Sequence, residues 1–235
     1  MKKATRKKIS FLERLDGKRC SERIMGRMYR YSKDSNFEVR YNVAEAAVVF
    51  PYEKVEEILL RLAKDKNALV RTNACDSMCI SYFPRTKNTL KEMAGDSNYL
   101  VRGYAVMSLA DVVRNLGDDN GKQECILFIE DLLRKEKEDW ARTIYYKELC
   151  KLGRKEYFNN VLKALENEDY HVRYLGVKYL KEELEGMEWE NRKKSIKPLE
   201  RMLEKEDGYI QHDAREILEK LYLEDRKDEL ESPTC

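Results

Sequence analysis

The chain has 235 residues, with 46 Lys plus Arg against 44 Asp plus Glu, and only 10 Gly and 4 Pro. That length suffices for one or two domains with a buried core, but so few turn-formers exclude a β-sandwich or barrel built from short strands. No run of about eighteen apolar residues exists, so nothing reads as a membrane-spanning helix.

The chain opens on Met1-Lys-Lys-Ala-Thr-Arg-Lys-Lys8, followed by Ile9, Ser10, Phe11, Leu12 and Glu13. That apolar stretch is too short and too soon charged for the core of a signal peptide, so a cytoplasmic location is expected. A short helix is expected over roughly Arg6–Leu15. Residues 1–30 carry eleven Lys and Arg against Glu13, Asp16 and Glu22, a net +8, which leaves −6 on the remaining 205. Any nucleic-acid binding is therefore expected to be weak and carried by residues 2–30.

From residue 33 onward an internal repeat sets the organisation. Lys33-Asp-Ser-Asn-Phe-Glu-Val-Arg40, Lys64-Asp-Lys-Asn-Ala-Leu-Val-Arg71 and Gly95-Asp-Ser-Asn-Tyr-Leu-Val-Arg102 share one register. Weaker copies end at Arg142, Arg173 and Gln211, so the successive intervals are 31, 31, 40, 31 and 38 residues. The two long intervals are expected to hold extra loop, at Gly117–Gly121 and Glu185–Glu190. One before the Arg/Gln stand Val39, Val70, Val101, Ala141, Val172 and Ile210. Three and seven after it, residues such as Val43, Ala74 and Ala105, then Ala47, Met78 and Leu109, complete one apolar helical stripe. Four before it, Asn36, Asn67, Asn98, Asp169 and Asp207 are good N-caps, and Glu138 is the exception.

A second helix precedes each of these, marked by pairs such as Met28/Tyr31, Leu59/Leu62 and Leu90/Met93. Repeat 4 offers Glu130 and Leu133, which predicts a shifted register. Pro51 and Pro84 fall at predicted helix starts, where a missing amide does no harm, whereas Pro198 predicts a kink or broken start. The expected fold is all-α: twelve helices in six antiparallel pairs, each unable to bury its apolar face without neighbours.

The run Asp-x-Asn-x-x-Val-Arg-x-x-Ala resembles HEAT-like repeat proteins, particularly the 31-residue form of bacterial HEAT-like proteins. The resemblance covers about residues 20–223. It implies a right-handed α-solenoid whose second helices line a concave face, and a function in binding macromolecules, usually proteins. The organisation it suggests is a basic segment with a short helix (1–19), the solenoid (20–223) and a charged tail (224–235). In such proteins the matching Arg pairs with the repeat's Asp as a ladder across adjacent turns. Arg40, Arg71, Arg102, Arg142 and Arg173 are thus expected to form a structural ladder with Asp34, Asp65 and Asp96. It should weaken towards the C-terminus, where Glu136, Asn167 and Lys205 replace Asp.

The expected function is a scaffold or adaptor that binds a protein or peptide in its groove as a monomer, with no catalysis, cofactor or metal. Five residues after the Arg/Gln, Glu45, Asp76, Met107, Lys147, Lys178 and Arg215 read as two acids, one apolar residue and three bases. Tyr41, Tyr104 and Tyr174 accompany them as partner-binding candidates, since rigid amphipathic rings are enriched at recognition surfaces. There is no Gly-rich phosphate loop, Gly-x-Ser-x-Gly or His-Glu-x-x-His. Six dispersed cysteines without a Cys-x-x-Cys pair read as small buried side chains, Cys75 and Cys79 included. The alternative reading is a nucleic-acid-binding protein, or an enzyme resembling bacterial alkylpurine DNA glycosylases, HEAT-like solenoids that work with a concave Asp flanked by Trp and Arg. Asp111 would take that place, with Trp140, Arg142 and Trp189 as companions. The Trp-rich segment expected around it is absent, and a body of charge −6 is poorly suited to duplex phosphates.

Overall fold

The computed structural model describes residues 3–204 and 208–231, the last six without side-chain detail. Asp207, expected as an N-cap, and Lys205 and Cys235 lie outside the described residues. Those residues form fourteen α-helices, two short 3-10 turns and no strand. The chain divides into two compact units, Met1–Ala141 and Arg142–Cys235.

The first unit begins with α1 (Lys3–Leu12) and continues as helix pairs. These are α2 (Glu22–Tyr31) with α3 (Phe37–Ala47), α4 (Tyr52–Leu62) with α5 (Ala68–Asp76), and α6 (Pro84–Met93) with α7 (Tyr99–Leu116). The second helices α3, α5 and α7 pack side by side, and the first helices α2, α4 and α6 make the other layer. Helix α1 packs on α3, in the layer of second helices. The caps follow the repeat: Asn36, Asn67 and Asn98 each accept an amide of the first turn through the side chain. Pro51 stands at the N-cap of α4 and Pro84 opens α6.

The interval after α7 departs from expectation. Its extra residues are not loop. They lengthen α7 to 18 residues and α8 (Asp119–Lys135) to 17, joined by Gly117 and Asp118 alone. Gly117 sits at φ 63, the left-handed region that lets a glycine end a helix, and Asp118 caps the next one. Helix α8 buries Cys125, Ile126 and Ile129, while Glu130 and Leu133 are only half-buried, the register shift that repeat 4 predicted.

Helix α9 (Asp139–Lys151) follows, then α10 (Phe158–Ala164) with α11 (Tyr170–Glu183), capped by Asp169. The last pair has a broken first helix, α12 (Trp189–Lys193) then α13 (Ile196–Leu203), with Pro198 in the first turn of the second piece. Helix α14 (Tyr209–Glu231) ends the described chain. In the second unit α11 and α14 pack together over a core that includes Val161, Leu180, Leu199 and Ile210. All eighteen positions of the −1, +3 and +7 stripe are buried.

Candidate interaction surface

The repeat motif explains itself atom by atom. Asp65 Oδ1 accepts the amide of Asn67 at 2.9 Å, which sets the turn, and Asn67 Oδ1 then caps α5 through Leu69 N. The other side of the carboxylate receives Arg40, Nε to Oδ2 at 2.6 Å and Nη2 to Oδ1 at 2.8 Å, a two-pronged guanidinium–carboxylate pair. Arg40 Nη1 meanwhile donates to the carbonyl of Asp34 at 2.7 Å. The ladder across adjacent turns thus runs in one sense: the Arg takes its own repeat's carbonyl and the next repeat's carboxylate. Arg71 repeats this with Asp65 O and Asp96, and Arg102 with Asp96 O and Glu136.

Glu136 therefore sustains the ladder into repeat 4, because its longer stem lets one carboxylate hold Arg102 and the amides of Lys137 and Glu138 together. Burial pushes Asp65, Asp96 and Glu136 upward in pKa. The Arg hydrogen bonds and loop amides outweigh it, holding each below the usual carboxylate range. Further on, Arg142 donates to Tyr146 Oη at 2.8 Å, and Arg173 Nη1 to the carbonyls of Asn167 and Glu168 at 2.6 Å. Sequence reasoning missed the first rung. Lys8, on α1, donates to one oxygen of Asp34, the carboxylate that the first repeat offers at the place where Asp65 and Asp96 receive their arginines. The signal was present: Lys8 lies 26 residues before Asp34, and Arg40 lies 25 before Asp65.

The second helices of the first unit place Glu45 and Asp76 on an exposed face, with Tyr41 and Met107 half-buried. Exposed Val48, Val49 and Ile80 supply apolar area there. Burial, then the charges of Glu45 and Asp76, push the Tyr41 hydroxyl up in pKa, so it stays a neutral donor. Glu13 and Asp16 join Glu45 around a cleft of about 430 Å³ floored by Ala46, Val48 and Val49. Side chains tie the helices below this face: Asn73 Nδ2 donates to Tyr41 O and Ser77 Oγ to Ala44 O.

Tyr104 is committed to a seam. It stacks on Trp140 at 5.7 Å, whose ring also meets Tyr99 edge-on at 6.0 Å and lies against Gly103. In the second unit Tyr174, Lys178 and Arg215 are exposed on α11 and α14. Lys147 is not: it is 3% exposed, and burial pushes its pKa down. The expectation of an open charge there is corrected, because α9 is buried on nearly every side from Ala141 to Cys150. The +5 position of this helix therefore does not reach solvent.

The alternative catalytic reading is not assembled in the first unit. Asp111 pairs with Arg114, one turn along its own helix. Trp140 rests at Gly103, eight residues back along α7, a distance of about 12 Å. Trp189 is covered by Arg192 and Lys193, 5.6 and 5.8 Å from its ring centre. Cys75 is buried and its thiol is pushed far up by desolvation, and Cys79 is pushed up as well, so neither is a ready thiolate. Among the described residues no group of three His, Cys, Asp or Glu is placed to hold a metal ion.

Helix pairs capped by Asn, laddered by Arg and carboxylate, and stacked in two layers define a class of repeat protein. Residues 26–110 match the family profile described as HEAT repeats, and over that stretch the pairs are repeats of the HEAT kind. No curated protein matches the sequence. Among solved structures the chain is similar to the complex of CpcE and CpcF of phycocyanin lyase from Nostoc sp. PCC7120. That match has 14% identity, covers 87% of this chain and 96% of that one, and has a TM-score of 0.43.

Proposed function

We propose that the protein is a scaffold or adaptor that binds a protein or peptide on the exposed face of its second helices, without chemistry or a cofactor of its own. One observation carries this reading: in the first unit, successive second helices hold exposed Glu45 and Asp76 beside exposed Val48, Val49 and Ile80. Apolar area with an acidic border suits a partner segment that is apolar at its centre and basic at its edge, where charge sets register and association rate more than affinity. In the second unit Lys178 and Arg215, with Tyr174, offer the opposite sign.

The 20–223 array would supply this surface, with 1–19 and 224–235 as flanking segments, in a monomer of the cytoplasm. No described helix is long and apolar enough to cross a membrane. Co-purification from the native organism with mass spectrometry identifies the partner. Glu45→Lys with Asp76→Lys should then slow its association at least about tenfold at low salt, with the helical signal unchanged. An unchanged on-rate would remove this face from consideration.

A further inference from the structure

A second cleft, of about 790 Å³, is enclosed by α1, the turn after it and α2, and shares only Leu15 with the lining of the cleft at Glu45. Lys3, Arg6, Lys7, Arg14 and Lys18 line it, all exposed, and no acid does. None of the five forms an ion pair among the described residues. Lys8, on the same helix, is spent on Asp34, and the acids Glu13 and Asp16 open onto the separate cleft at Glu45. Like charges gathered without counter-charges oppose folding, so nothing within the fold accounts for the cluster.

The floor of the cleft is apolar, made by Phe11, Leu15 and Ile24. Arg14 is steered along the wall by its bond to Ser10 Oγ at 2.6 Å. Along α1, Lys3 to Leu12 spans roughly 14 Å, about two and a half helical turns, with Arg14 in the turn just beyond. We infer that this cleft docks an acidic amphipathic helix of a partner protein, its carboxylates meeting the five cations and its apolar side chains filling the floor.

Charge complementarity alone would admit any polyanion, and the floor makes the choice. A phosphate backbone has no apolar surface to lay against Leu15 and Ile24. A base needs an open ring to stack on, and Arg27 lies over Phe11 at 4.4 Å while Tyr31 meets it edge-on at 6.1 Å. A membrane anchor needs apolar side chains that protrude, and these are recessed. A helix with acids at its margins and leucines between them satisfies rim and floor at once.

The test titrates the full chain with labelled helical peptides of about 16 residues, in which Glu flanks a Leu stripe in each of several registers, against scrambled peptides of identical composition. At least one patterned peptide should bind about tenfold or more tighter than its scrambled form. Arg6→Glu with Lys7→Glu and Arg14→Glu should weaken it at least about tenfold while the thermal melt is kept. Glu45→Lys with Asp76→Lys should leave it intact, which separates this cleft from the second-helix face. The inference is overturned if patterned and scrambled peptides bind alike, if none binds below ~100 µM, or if the triple reversal has no effect. It is equally overturned if a single-stranded oligonucleotide, or vesicles of phosphatidylserine and phosphatidylcholine, bind tighter than every peptide and lose that binding in the triple variant.

Discussion

Arg71 holds the Asp96 carboxylate with two nitrogens and the Asp65 carbonyl with a third, in a site where its own side chain is 15% and Asp96 9% exposed. Removing it leaves a nearly buried carboxylate with only the Asn98 amide. Arg71→Ala should therefore cost about 1–3 kcal/mol in urea denaturation, above the ~1 kcal/mol ceiling of exposed pairs. The same rungs set an acid limit. Asp65, Asp96 and Glu136 titrate lower when folded than when unfolded, so their stabilisation is fully present above pH ~4 and is lost as pH falls through the folded values. Denaturation midpoints should drop steeply below pH ~4, and the drop should be shallower in Arg71→Ala. Gly103 is a different constraint: a Cβ there would lie 2.3 Å from Trp140 Cζ3, and Tyr99 and Tyr104 flank that ring. Gly103→Ala should cost about 1–2 kcal/mol net, since overpacking outweighs the ~1 kcal/mol that alanine adds to a helix.

At the scale of elements, α1 behaves as half a repeat. It packs on α3 in the second-helix layer, buries Leu12 and supplies Lys8 to the ladder. A helix that merely trailed from the body could be truncated freely. Here Leu12→Ala should cost about 2–4 kcal/mol, whereas Lys8→Ala should cost under ~1 because that lysine is 35% exposed. Equal, negligible losses in both would show that α1 does not seal the stack. The long α7–α8 hairpin makes a related point. The sequence reading put loop at Gly117–Gly121 because Gly and Asp cluster there. A single left-handed glycine and one Asp cap suffice to join two helices, so the added residues become helical turns. Propensity locates a break; it does not measure its length.

For the whole molecule, circular dichroism should show a helical spectrum with no strand component, as expected of a chain whose described residues hold fourteen α-helices. Much of this was readable in advance. A side chain's place on a helix depends on spacing alone, so the −1, +3 and +7 residues could be assigned to the core from their 3.6-residue period, and all are buried. The N-caps Asn36, Asn67 and Asn98 follow for the same reason, since a cap bonds amides within its own turn. Three features escaped that local logic. The arginine's carboxylate comes from the next repeat, 25 residues on, because stacking brings that turn within reach. Lys147 is buried although its spacing matches the exposed Glu45, Asp76 and Lys178, because whether a polar face meets water depends on what packs against the helix. Lys8 and its neighbours look alike in sequence, yet Lys8 closes a rung and Lys7 faces a cleft, a division made only when α1 settles against α3. Periodicity and capping, being local, determined the helices and their buried stripe. The partners and exposure of the charges depend on neighbours distant in the chain, so only the packed structure decided them.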